Sequence, residues 1–408
     1  MKALFTAIFV LFLASFVLAQ DGDKNWFQVY GFAMTDIGYN FNKIDPNWFD
    51  VVRPTKLPTM DNDTYYGTEG NAYFSVRQTR FGVKSGTQTG LGELFTQFEF
   101  ELFGTGVDAG QTTIRLRHAY GELGQFGVGQ YWSPFMDIDV FPNSVEYWGP
   151  NGMAFFRNVQ FRYMPIKGDT RLTFALERPG ASADAGEYSN RVELQGVKAR
   201  FPVPDLSAEY RSAHDWGYVE LAGIVRYMKW EDLIVNEEEE DLSGDAIGWG
   251  LNLSSNLKLG KDNLLRLSVL YGAGVQNYMN DAPVDVAVDG TGDDAKGVAI
   301  PLFGAVAFLE HNWSEKFATA IGYSMLNIDN TDGQRYDAFK MGQYALGNII
   351  YYPVENVMMV CELQYGNREN FGDYPDPEDE DAQYYLKTTD IMKIQFSFKY
   401  NFSHKVFF

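Results

Sequence analysis

The 408-residue chain contains one cysteine, Cys361, and only four histidines. A single thiol excludes an internal disulfide framework, and its place in the apolar register of a strand marks it as a bystander. His118, His214, His311 and His404 form no spacing that would hold a zinc ion. None stands with a serine or paired aspartates in a way that would activate a nucleophile or a water. Neither enzyme chemistry nor a metal or other cofactor is therefore expected. Positive charge is scarce too. The 33 Lys and Arg face 54 Asp and Glu, a formal net charge of −21, which argues against nucleic acid as a partner. Beyond the first residues, no run approaches the roughly 20 apolar residues that a spanning helix needs. The start itself is Met1-Lys2 and a mostly apolar stretch from Ala3 to Ala19, with small residues at Val17 and Ala19. That pattern predicts a secretory leader over 1–19, cleaved before Gln20. Residues 20–408 hold no linker, repeat or shift of composition and read as one domain.

What the chain has instead is glycine, 40 residues, and aromatics, 16%, the mixture of many strands joined by tight turns. The stretch 111–141 carries the argument. Ile114, Leu116, His118 and Tyr120 alternate with Thr113, Arg115, Arg117 and Ala119, so one strand face is mostly apolar and the other holds two guanidinium groups. Leu123-Gly124-Gln125 makes a turn, a second strand runs from Phe126 to Trp132, and Pro134 ends it ahead of Asp137 and Asp139.

The same alternation recurs along the chain. Thr79, Phe81 and Val83 oppose Gln78, Arg80, Gly82 and Lys84; Thr96, Phe98, Phe100 and Leu102 oppose Gln97, Glu99 and Glu101. Further strands are predicted near 156–164, 171–178, 206–213, 217–229, 246–257, 263–275, 298–311, 315–327, 341–352, 357–368 and 389–402. With a first strand over 26–39, the total is about 16. Residues 190–201 also alternate, but counting them breaks the order of long and short connections, so 179–205 is taken as one loop. Long connections then lie on one side, and short ones, such as 85–90 and 122–125, on the other with both termini. This is the plan of an all-β transmembrane antiparallel barrel in the outer membrane of a Gram-negative-type bacterium, which satisfies every backbone group in lipid without a helix. In the last strand Met392, Ile394, Phe396, Phe398, Tyr400 and Phe402 share the lipid face. A soluble β-sandwich also alternates, but its strands are usually shorter.

Three stretches add a resemblance. SVRQTRFGVKSGT (75–87), RLRHAYGELGQFGVGQYWSPFMD (115–137) and FRNVQFRY (156–163) resemble the DcaP-like trimeric outer-membrane porins, and DWGYVELAGIVR (215–226) and WGLNLSS (249–255) fit in the same order. The resemblance implies a 16-stranded, homotrimeric channel for small anionic solutes, notably dicarboxylates. Resemblance to outer-membrane proteins generally adds that the terminal Phe408 is read by the barrel-insertion machinery. One departure stands out: no heptads precede the first strand, where that family often carries a periplasmic coiled coil, so a trimer here would rest on barrel-wall contacts.

Independently of the family, parity collects Arg80, Lys84, Arg115, Arg117, Arg162, Arg171, Arg211, Arg226 and Arg266 on the lumen side, facing Glu99 and Glu101. Folding the third long loop inward would bring Asp137 and Asp139 opposite them and narrow the pore. Guanidinium forks match carboxylates bidentately, and charged rings at a narrow point set selectivity. Arg77 falls on the opposite parity and is expected at an interface. His118 and Gln130 are expected on or near the lipid-facing hairpin surface, at a subunit contact or at the membrane interface. The acidic runs Glu237–Asp241 and Asp376–Asp381 fall in outer loops, where they are expected to stay solvated or to bind divalent cations loosely. The function expected is a porin for small hydrophilic solutes that prefers small anions such as dicarboxylates. The alternatives are a general diffusion porin made cation-preferring by its acidic loops, or a non-conducting structural or adhesive barrel.

Overall fold

The structure, a computed structural model, describes residues 25–184, 201–231, 243–290, 295–374 and 377–408. Sixteen antiparallel strands close into a barrel. In chain order they are β1 (Trp26–Asn40), β2 in two halves (Asn71–Ser75 and Arg80–Thr89), β3 (Gly92–Phe103), β4 (Thr112–Leu123), β5 (Phe126–Trp132), β6 (Arg157–Ile166), β7 (Arg171–Glu177) and β8 (Asp205–His214). They continue as β9 (Gly217–Trp230), β10 (Gly244–Leu259), β11 (Asn263–Ala273), β12 (Pro301–Asn312), β13 (Phe317–Ile328), β14 (Phe339–Tyr351), β15 (Val357–Asn370) and β16 (Thr388–Phe407). Each pairs with its neighbour in sequence, and β1 closes the ring on β16, from Trp26 opposite Phe407 to Asn40 opposite Lys393. Among the described residues no helix is long and apolar enough to cross a membrane; the strands do that work.

Alternation explains the belt. Phe81, Phe98, Ile114, Leu221, Leu251, Ile349 and Phe396 stand exposed on the outer surface, where lipid rather than water meets them. Their neighbours Glu99, Glu101, Glu220, Asn252, Asn348 and Gln395 are buried inside. Cys361 sits opposite Phe396 and Ile349 on the outer face. Short turns join the strands on the side of the termini. Gly124 has φ +58 and Gly260 φ +76, left-handed values that glycine adopts without a Cβ penalty.

Three expectations need correction. The stretch 85–89, expected as a turn, extends β2, and the chain reverses only at Gly90-Leu91. Residues 296–299 leave the barrel: Lys296–Ala299 pairs with Val286–Asp289, which also pairs with Ala183–Asp184, in a small sheet of outer-loop segments. The stretch 190–200 and the whole acidic run at 237–241 lie outside the described residues. Two β-bulges make the third correction. Between the halves of β2, four residues (76–79) face three of β1, since Ser75 is opposite Asp36 and Arg80 opposite Phe32. On β4, Glu99 faces His118 while Phe100 faces Leu116, so Arg117 is extra. An inserted residue reverses parity beyond it. Arg77 is therefore buried inside rather than set at an interface, and His118 and Tyr120 are buried inside rather than facing lipid.

Candidate functional site

The connection from Ser133 to Phe156 (hereafter the third loop) folds into the barrel and runs around its inner wall. Ser133 donates to Glu177 on β7 (2.7 Å). The Asp137 carboxylate accepts from Arg211 on β8 (2.6 Å), Tyr218 on β9 (2.6 Å) and Ser254 on β10 (2.6 Å). The backbone N–H of Asn143 donates to Glu310 on β12 (2.7 Å), and Ser144 and Val145 donate to Glu362 on β15. Glu146 pairs with Lys393 on β16 at 2.9 Å, both side chains fully buried. Gly152 presses on β12 and β13, where a Cβ would collide with the Met325 and Ala305 carbonyl oxygens. Phe135 of the loop joins Leu270, Tyr278, Ile300, Leu326 and Phe339 in an apolar cluster. The loop and that cluster pack against β7–β16, and two cavities lie along β1–β6, the inner one also reaching Met358 and Lys399.

On that wall four arginines surround two glutamates. The Glu101 carboxylate, with no exposed surface, is 2.5 Å from Arg117, 3.5 Å from Arg80 and 3.6 Å from both Arg115 and Arg157. Glu99 is 2.6 Å from Arg117, 3.7 Å from Arg80 Nε and accepts from the Tyr30 hydroxyl at 2.8 Å. The Tyr147 hydroxyl of the third loop also donates to Glu101. Four guanidinium groups against two carboxylates leave a local excess of two positive charges. Arg80 Nε, Arg115 Nη1 and Arg157 Nη1 are buried and find no acceptor among the described residues. Unmatched buried donors of this kind are costly unless something accepts from them.

Two cavities flank the cluster. The inner one, about 480 Å³, is lined by Arg80, Lys84, Glu99, Arg117, His118 and Lys399 among others. Lys84 lies over the Tyr30 ring and Lys399 over Phe32. The outer one, about 380 Å³, is lined by Arg53, Arg115, Gln130, Trp148 and Arg157, with Asn277, Asn280 and other loop residues. Gln130 thus borders a cavity, and it donates to the Leu116 and Arg117 carbonyls, bracing the bulge.

The other sequence-picked residues are placed elsewhere. Arg162 donates to Gln160 and the Trp132 carbonyl and lines a third cavity with Arg171, near the short turns. Arg171 pairs with Glu209 and Glu220. Arg211 is held by Asp137, Asp139 and Glu220, Arg226 by Asp205 and Asp285, and Arg266 by Glu310. The carboxylates of Asp137 and Asp139 anchor the third loop to Arg211 instead of facing a basic wall across open space. Sequence reasoning missed Arg157, Lys399, Arg53 and Tyr147. Lys399 shares parity with the lumen-facing Lys393, Gln395 and Ser397, so alternation alone could have found it. Arg157 opens its strand, where alternation no longer constrains direction.

A closed barrel with an apolar belt and a lumen narrowed by an inward loop is the architecture of an outer-membrane porin. The chain belongs to the DcaP outer membrane protein family, whose model matches residues 19–378. A search of curated proteins found no match. Among solved structures, it is similar to the outer membrane channel DcaP of Acinetobacter baumannii, at 19% identity and TM-score 0.74, covering 94% of this chain and 100% of that one. It is also similar to an anion-selective porin from Comamonas acidovorans, at 10% identity and TM-score 0.58, covering 93% and 100%. The trimer form of OmpT from Vibrio cholerae matches at 13% identity and TM-score 0.55, again covering 93% and 100%. The protein is thus a porin-type outer-membrane protein and not an enzyme.

Proposed function

We infer that the protein, after loss of its leader, assembles as a homotrimer and passes small hydrophilic solutes with a preference for small anions, dicarboxylates among them. The observation that carries this reading is the excess of guanidinium over carboxylate at the narrow wall: Arg80, Arg115, Arg117 and Arg157 against Glu99 and Glu101. The Arg80 and Arg115 side chains are partly exposed to the lumen, where guanidinium forks bind a passing carboxylate bidentately. Lys84 and Lys399 extend the basic lining inward. Binding stays weak enough for release, because solvent reaches the cavities on both sides and Glu99 and Glu101 compete for the same guanidinium groups.

A second reading, cation preference imposed at the mouth, draws on the acidic outer loop at Glu378, Asp379, Glu380 and Asp381 and on the net charge of −21. Exposed loop charges are screened beyond a Debye length of about 8 Å at physiological salt, so they weigh less than charges at the constriction. A planar bilayer with potassium chloride on one side and potassium succinate on the other separates the two readings. The anion reading expects the current to be carried mainly by chloride and succinate. A reversal potential set by potassium, unmoved by exchange of the anion, would contradict it.

A further inference from the structure

Among the described residues, two side chains line both cavities, Tyr147 and Phe155, each from the third loop. Phe155 is fixed: its N–H donates to the Tyr278 carbonyl (2.8 Å), and its ring packs on Trp132 and Phe141. Tyr147 is placed differently. Its ring stacks flat on Phe103, with centroids 3.9 Å apart and an interplanar angle of 6°. Its hydroxyl reaches the arginine cluster, donating to Glu101 and lying 3.4 Å from Arg117 Nη1. One side chain thus occupies the step between the cavities and also engages a constriction carboxylate.

We propose that Tyr147 is the threshold residue of the pore: its ring sets the width between the outer and inner cavities, and its hydroxyl keeps Glu101 turned away from the passing solute. The two roles reside in different atoms and separate by substitution. Removing the ring joins the cavities. Removing only the hydroxyl leaves the width and frees a Glu101 lone pair, which then competes with the solute for Arg115 and Arg157. The ring's role rests on the protein being a channel and not on its anion preference, because width is read with uncharged solutes; the hydroxyl's role rests on the anion reading.

The test is single-channel conductance, together with entry of neutral sugars into proteoliposomes, for barrels shown to be folded by heat-modified gel migration. Tyr147→Ala is expected to raise conductance by about half or more and to speed sugar entry, and Tyr147→Trp to lower both, as where diameter limits flow. Tyr147→Phe is expected to keep conductance within about a tenth while lowering the anion-to-cation permeability ratio about twofold. Opposite effects of alanine and tryptophan are not produced by general loosening of the loop. The ring's role is overturned if alanine and tryptophan both leave conductance and sugar entry unchanged, or if phenylalanine changes conductance as much as alanine does. The hydroxyl's role is overturned if phenylalanine leaves the permeability ratio unchanged. A wild-type channel that prefers potassium would sink the anion reading and leave the width test intact.

Discussion

The arginines of the two lumen walls meet opposite fates. On the β2–β6 wall, Arg80, Arg115, Arg117 and Arg157 share two glutamates, and all but Arg117 keep an N–H without an acceptor among the described residues. On the β7–β16 side, Arg211 has three carboxylates and Arg226 has two. Sequence alternation puts most of them in the same lumen, yet one set is held in surplus and the other is neutralised. The difference comes from the third loop and its neighbours, which bring carboxylates and an apolar cluster to one side and leave the other bare. An arginine that points inward is a filter element only where carboxylates are too few to neutralise it.

If that contrast is right, the matched arginines matter for stability and the unmatched ones for flow. The largest effect is expected at Arg226, whose side chain is 1% exposed. Arg226→Ala leaves Asp205 and Asp285 without their cation in a buried site, which costs about 3–5 kcal/mol. Denaturant unfolding in detergent micelles should register that loss, while the reversal potential of the folded fraction stays at the wild-type value. A shifted reversal potential would place Arg226 in the conducting path.

A smaller effect is expected where the loop meets the far wall. In Gly152→Ala the new methyl meets the Met325 and Ala305 carbonyls. Overpacking of this kind costs about 1–3 kcal/mol, and displacement of the loop should appear as added open-channel noise. A quiet, fully stable channel would mean that the loop is not wedged there.

The smallest effect is expected at Arg162, which has no carboxylate within ion-pair distance among the described residues but lies beyond the constriction, beside the third cavity. Arg162→Gln should lower the anion-to-cation permeability ratio by less than about twofold, since a wider vestibule weighs less than the narrowest ring. An effect as large as that of losing a constriction arginine would move the filter inward.

How much of this was legible in the sequence divides along the same contrast. The sixteen strands and their order follow from period-2 alternation and turn residues, because a lipid-facing strand tolerates few exceptions. Arg80, Lys84, Glu99, Glu101, Arg115 and Arg117 were assigned to the lumen by parity, and they meet there. Arg77 and His118 were misplaced for one shared reason: each bulge adds a single residue, which flips the count without any mark in composition. The pairing of Arg211 with Asp137 was not legible either. It depends on where a 24-residue loop, residues 133–156, touches the far wall, and local pattern does not encode that. Tyr147 went unnoticed because an aromatic in a loop carries no periodic signal.

The central claim, that unmatched arginines form the filter, is tested most directly by the reversal potential under a potassium chloride gradient. The channels to compare are wild type, Arg115→Gln with Arg157→Gln, and Arg266→Gln as the matched counterpart. Anion preference in wild type, largely lost in the double variant and retained in Arg266→Gln, is the expected result. Equal loss in both variants, or wild-type cation preference indifferent to either, would contradict the account.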